Sequence, residues 1–248
     1  MAVVISGTGL YTPPQSISND ELVECFNQYV EKFNQDHSQE IAQGTVTALS
    51  PSDSSFIEKA SGIKSRFVMA KEDILNVDVM APRFTERANE QLSMQAEIGV
   101  EAAKAAMKAA NKTPADIDLI IVACAYTQRS YPAMAIEIQN ALGCQGWGFD
   151  MLVACSAATF GIINAANAIR SGTAKTVLVI NPEILSPQIN YRDRDSHFIF
   201  GDVATASIIE DESTANAEHV FKVISEQPIT SFSNNIRSNI GYMNQCSP

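Results

Sequence analysis

The sequence predicts a layered α/β fold, a sheet with helices on both faces, and three stretches carry that prediction. Leu119-Ile-Ile-Val-Ala-Cys124 is apolar without alternation, as in a strand of a mainly parallel sheet covered from both sides. Helix-like and strand-like runs alternate from Ala96 to Ile180, the order that builds crossover units. Within them, Ser156 to Arg170 spreads Ala157, Phe160, Ile162, Ile163, Ala166 and Ile169 round the whole helical cylinder. Such a helix expects a cover on every side, and one sheet supplies only one.

Taken in order, Val3 to Ser6 reads as a short strand, followed by a turn over Gly7-Thr-Gly-Leu-Tyr-Thr-Pro-Pro14. Ser18 or Asn19 opens a helix with Asp20 and Glu21 in its first turn. Residues from about 28 to 55 are polar with little periodicity and read as an insertion or mobile flap. Ala96, Val100, Ala103, Met107 and Ala110 recur at helical spacing, and Ile117 to Ala125 follows as a strand. Pro132 to Leu142 suits a helix stopped by Gly143, and Phe149 to Ala154 a strand. Ser156 to Arg170 suits a helix stopped by Gly172, and Thr176 to Ile180 another strand.

The chain has 248 residues, 46% of them hydrophobic, enough for a sizeable core, and a net charge of −11. The acidic balance, 28 Asp+Glu against 17 Lys+Arg, excludes nucleic acid and anionic membrane as main partners, since both need a basic face. No run of about 20 apolar residues occurs, and Met1-Ala-Val-Val-Ile-Ser-Gly lacks the basic start of a secretory leader, so the expected location is the cytoplasm. Five widely spaced cysteines without a Cys-x-x-Cys pair suggest neither a disulfide framework nor a metal site. The lone Gly7-x-Gly9 lacks the rest of a nucleotide fingerprint.

Cys155 is the most informative residue. An apolar strand delivers it to the start of a small-residue helix, whose unpaired N–H groups and positive dipole end favour a thiolate. A cysteine so placed can attack a thioester near neutral pH. A buried packing role is the alternative for an isolated cysteine, and its surroundings argue against it.

Several motifs, in order, give the chain a resemblance to the 3-oxoacyl-ACP synthase III family of condensing enzymes. They are Gly7-Thr-Gly-Leu-Tyr-Thr-Pro13, Ser61-Gly-Ile-Lys-Ser-Arg66, Ala115-Asp-Ile-Asp-Leu-Ile-Ile-Val-Ala123, Tyr131-Pro132 with Glu137-Ile-Gln139, Phe149-Asp150 leading to Ala154-Cys155, and Phe200-Gly-Asp-Val-Ala204. The resemblance implies a thiolase-like fold, αβαβα when complete, of which residues 1–212 are the N-terminal half and 213–248 the start of a connecting segment, the C-terminal half being absent. It implies fatty-acid synthesis by covalent catalysis. Cys155 takes an acyl group from acyl-CoA or acyl-ACP, and malonyl-ACP, on decarboxylation, accepts it to give 3-oxoacyl-ACP. Thioesters are substrates in that scheme and no cofactor or metal is required.

The resemblance also assigns binding residues. Arg194 matches a position that contacts the CoA nucleotide, while Phe56 and Ala60 stand where acetyl-CoA users have a Trp and an Arg. That loss favours a longer acyl-CoA or an acyl-ACP donor. Ala157 replaces a glycine common beside the thiol. Tyr131 matches the residue that closes the partner's acyl pocket in family homodimers, or is an ordinary loop aromatic. The family's His and Asn partners are not recognisable: His37, His197 and His219 read as structural or solvated, and Asn239-Ile-Gly241 does not match. The chain is therefore expected to be catalytically incomplete and to expose an apolar face of the Ser156–Arg170 helix. The competing reading is a non-catalytic subunit or truncated remnant that acts only by pairing with another chain. A stand-alone cysteine hydrolase lacks a base in any recognisable motif.

Overall fold

A computed structural model describes residues 2–233. The elements follow the sequence as β1 (Val3–Tyr11), β2 (Gln15–Ser18), α1 (Asn19–Asp36), α2 (Ser38–Ala42), α3 (Ser54–Ser61), β3 (Ser65–Val68) and α4 (Lys71–Ile74). Then come α5 (Met94–Ala109), β4 (Leu119–Cys124), α6 (Met134–Leu142), β5 (Trp147–Leu152), α7 (Ala157–Arg170), β6 (Thr176–Ile184), β7 (Asp202–Asp211) and β8 (Phe221–Lys222). The main sheet has the order β5-β4-β6-β7-β1-β8. β4 pairs in parallel with β5 and β6, β7 is antiparallel to β6 and β1, and β8 is antiparallel to β1, so β5, β4, β6 and β1 share one direction.

Alternation along the strands splits the core. Leu178 and Ile180 of β6 face α5 and α6, in a cluster with Ala103, Ala106, Met134 and Ile138, whereas Val177 and Val179 face α7 with Ala165 and Ile169. All six residues of β4 are buried, as its unbroken apolar run requires. A third core, built on Ile17, Leu22, Phe26, Ile57, Tyr191 and Phe198, joins α1, α3 and the small β2–β3 sheet into a side lobe.

Two expectations need correction. The N-terminal strand does not stop at Ser6. β1 continues to Tyr11, with a register shift between Ile5 and Gly7, and pairs with β7 throughout. Its glycines serve packing rather than a turn: a Cβ on Gly9 would lie 2.0 Å from the Ala102 carbonyl oxygen, and one on Gly7 2.5 Å from that of Ala106. They let α5 lie directly on the strand.

The stretch read as a flap is mostly helix, and its coil is strapped down. α1 runs to Asp36, and two of its side-chain amides each bracket a peptide unit of the following coil. Asn27 accepts from the Ser52 N–H at 2.9 Å and donates to its carbonyl at 3.0 Å, and Asn34 does the same to Leu49 at 2.8 and 3.0 Å. These amides mimic a neighbouring strand, which hydropathy cannot reveal.

The remaining elements match within a few residues. Ser18 caps α1 through a full capping box with Glu21, and Gly143, in the left-handed region at φ 76°, ends α6. α7 is covered by the sheet on one side only. Ala157, Gly161, Ala165 and Ile169 are buried, whereas Phe160, Ile162 and Ile163 are half-buried and Ala158 is exposed. A Cβ on Gly161 would stand 2.6 Å from Val179 Cγ1, so a glycine sets this close contact. Asn239 and Cys246 lie outside the described residues, as does part of the segment expected to connect two halves.

Candidate active site

Where β4 and β6 end, their onward chains leave in opposite directions, β4 toward β5 and β6 toward β7. In open α/β sheets this divergence makes the crevice in which ligands bind. Cys155 lies at the same sheet edge. β4 and β5 stay paired to Cys124 and Leu152, the Val153 N–H donates to the Cys124 carbonyl at 3.3 Å, and a 3-10 turn, Ala154–Ser156, carries the thiol into α7.

Two backbone features shape that turn. Ala154 has φ 47°, a left-handed conformation that costs a residue with a Cβ about 1 kcal/mol. Ser156 at the N-cap makes no side-chain capping bond, and no acidic residue occupies the first turn of α7. The helix entrance therefore keeps its N–H donors and positive end unneutralised beside Cys155. Cys155 is exposed, while Cys25, Cys124 and Cys144 are buried. Burial pushes all three buried thiols up, Cys124 to about 12, so they are poor nucleophiles.

The side lobe brings two of the expected binding residues together. The Arg194 guanidinium sits over the Phe56 ring at 4.2 Å, and its Nε donates to the Pro51 carbonyl at 2.8 Å. Pro51 belongs to the coil that Asn27 and Asn34 strap down, and Phe56 Cα stands on α3 because Asp53 accepts from its N–H at 2.7 Å. Phe198 packs edge-on against Phe56 at 6.1 Å. A flat, partly exposed shelf results, with a cation stacked on its aromatic face.

Tyr131 lies elsewhere, on the segment between β4 and α6, and is 84% exposed. It borders a cavity of about 770 Å³ on the α5 side of the crevice, together with Phe84, Met94, Gln95, Tyr126 and Ile184; Cys155 does not line that cavity. None of the histidines is placed with Cys155. His197 is fully buried in the lobe core, stacked on Phe26 at 4.8 Å. His37 stacks on Phe33 at 4.2 Å, and His219 precedes β8 beside Glu218 at the far edge of the sheet.

The family-like motifs prove to be joints around the crevice. Asp202 accepts from the Ser186 N–H and hydroxyl at 2.8 and 2.7 Å and from the Met69 N–H at 2.8 Å, which ties the ends of β6 and β3 to the start of β7. Asp150 accepts from the Met134 and Ala135 N–H groups at 2.7 and 2.8 Å and so caps α6, whose own N-cap, Ala133, cannot. Buried Arg66 donates to the Ile17 carbonyl at 3.1 Å and to Asn19 Oδ1 at 2.6 Å.

Sequence reasoning missed Gln95, which is 2% exposed. Its Nε2 donates to the carbonyls of Tyr126 and Pro182 at 2.7 and 2.8 Å, and its Oε1 accepts from the Gln128 N–H at 2.6 Å. At the first turn of an amphipathic helix it looks like any solvated polar residue. Among the described residues, no group of three or more His, Cys, Asp or Glu could hold a metal ion, and no helix is long and apolar enough to cross a membrane.

Comparison with known proteins agrees with this geometry. Residues 149–226 match the family model described as 3-Oxoacyl-[acyl-carrier-protein (ACP)] synthase III. The beta-ketodecanoyl-[acyl-carrier-protein] synthase of Pseudomonas aeruginosa is 52% identical over 223 residues, which cover 90% of this chain and 64% of the relative. The beta-ketoacyl-[acyl-carrier-protein] synthase III of Bartonella henselae is 30% identical over 243 residues, 98% of this chain and 59% of that one. The crystal structure of 3-oxoacyl-[acyl-carrier-protein] synthase III from Aquifex aeolicus superposes with a TM-score of 0.63 at 28% identity, covering 85% of this chain and 54% of that chain.

The sheet order, its two helical layers and the cysteine at the carboxyl edge thus define a thiolase-like α/β fold. The family model, the named relatives and the superposed structure together support the 3-oxoacyl-[acyl-carrier-protein] synthase III family for this chain, which spans less than two thirds of the length of the relatives just named.

Proposed function

We propose that Cys155 accepts an acyl group from a thioester donor and passes it to a malonyl-ACP carbanion, in fatty-acid synthesis. The Cys155 thiolate attacks the donor carbonyl and the CoA or ACP thiolate leaves. Malonyl-ACP then loses carbon dioxide, the resulting carbanion attacks the acyl-enzyme carbonyl, and the cysteine thiolate is released with 3-oxoacyl-ACP as product. One observation carries the reading: among the four described cysteines, Cys155 alone is exposed, at a left-handed turn before an uncapped helix entrance.

The stacked Arg194–Phe56 pair supports a CoA nucleotide as one ligand, with a base taking the place of one stacking surface. The chain length follows from the relative named for a beta-ketodecanoyl product: a ten-carbon 3-oxo chain made by adding two carbons requires an eight-carbon donor. Exposed Tyr131 supports a homodimer in which it meets the second copy. None of the three histidines is placed to act as a base at Cys155, so the full reaction takes its base from outside the described residues.

The deciding experiment offers the full-length protein donors of two to ten carbons and reads the acyl mass on Cys155. The expected result is preferred loading of the eight-carbon group. Preferred loading from acetyl-CoA would overturn the chain-length reading, and no loading from any donor would overturn the function.

A further inference from the structure

The β4–β6 ladder ends at Val122 and Ile180, and beyond it side chains bridge the two diverging strands. Asn181 donates to the Ala123 carbonyl at 2.8 Å, and two residues on, Glu183 Oε1 accepts from the Ala125 N–H at 2.7 Å. Alternation along β6 puts Asn181 and Glu183 on the α7 side, the side of the helix that Cys155 opens. Gln95 makes the matching bridge from α5, joining Tyr126 and Pro182. A carboxylate is an unusual choice for such a bridge. The second oxygen of Glu183 is buried without a hydrogen-bond partner, and among the described residues no ion pair involves it.

We propose that Glu183 is a positioning residue that seats the Ala125–Pro132 segment, which carries Tyr131, against β6 through its bond to the Ala125 N–H. The inference deepens the acyl-transfer reading, because the segment it places borders the crevice beside Cys155. A neutral Gln would make the same bond to Ala125 without a titration. Burial, opposed only by the Ala125 N–H, raises the Glu183 pKa from 4.5 to about 7. Two titratable groups share its surroundings: the Cys124 thiol on β4, which burial first and then Glu183 push up, and Asp150 on β5, which acts on the same thiol. α7 contributes no titratable side chain on its first three turns.

Hydrogen exchange of the Ala125–Tyr131 amides in the full-length protein, corrected for intrinsic rates, tests this. Glu183→Gln, which can keep the bond to Ala125, should hold wild-type protection, and Glu183→Ala, whose fold is checked by circular dichroism, should lose it about tenfold in this segment alone. Unchanged protection in Glu183→Ala, or a loss spread over the whole sheet, would overturn the proposal. Acyl loading of Cys155 in the same preparation keeps the two readings apart: absence of loading defeats the function and leaves the exchange result standing.

Discussion

Cys155 and the residue before it make the sharpest predictions. Replacing Cys155 by Ala in the full-length protein should abolish acyl capture, read as loss of the mass increment, with thermal stability unchanged because the side chain is exposed. Ala154→Gly relieves the left-handed backbone and should raise stability by about 1 kcal/mol in denaturant titration. The same change loosens the turn, so alkylation of Cys155 by iodoacetamide should change in rate while stability improves. Lower stability in Ala154→Gly would show that no strain is held there. The placement of Cys155 between β5 and α7 was legible because a strand, a thiol and a small-residue helix occur in one line of sequence. Glu183 and Gln95 were not, because what distinguishes them is the end of a ladder between strands far apart in the chain.

At the level of elements, caps and close contacts decide stability. Glu21 closes the capping box of α1 and pairs with Lys71 at 2.6 Å, and the Lys71 and Ser18 hydrogen bonds lower its pKa from 4.5 to about 2. The folded pKa is depressed, so this stabilisation is present above about 4.5 and lost as the pH falls through about 2. With the pair partly open to solvent, Glu21→Gln should cost about 1 kcal/mol at pH 7 and clearly less at pH 2, measured by urea titration at both. Gly9→Ala is the severer change. Its Cβ meets a backbone carbonyl that cannot move aside without shifting α5, and a loss of about 3 kcal/mol is expected by thermal melting. A loss under about 1 kcal/mol would mean that α5 slides freely on β1. These glycines were misread as a turn because glycine marks turns and close approaches alike, and only the partner helix distinguishes them. The strapped coil was misread for a related reason: Asn27 and Asn34 spend their amides on backbone groups, and nothing local says so.

On the scale of the whole molecule, layering was legible from composition and period, because burial on two faces removes polar residues from β4 and from α7 alike. What covers the outer side of α7 was not legible, and part of that helix stays half-exposed among the described residues, flanked by the Arg170–Glu226 pair at 2.7 Å. Lys112 and Glu210 fasten the opposite end of the sheet. They meet at 2.7 Å with side chains 5% and 0% exposed, and Thr214 donates to the same carboxylate oxygen. Removing one partner leaves the other charge buried, so Lys112→Ala should cost about 3 kcal/mol in denaturant titration, and Lys112→Met with Glu210→Gln should recover part of it.

The asparagine brackets on α1 also divide their coil into a part pinned to the helix and a part outside the brackets. Leu49 and Ser52 are pinned, and Pro51 with them holds the Arg194 shelf, whereas the stretch between Val46 and Ala48 takes no part in either bracket. A short epitope or a fluorophore-bearing peptide spliced after Thr47 should therefore be carried as a passive passenger, giving a reporter site whose length can be varied while the Arg194–Phe56 stack and its Pro51 contact stay in place.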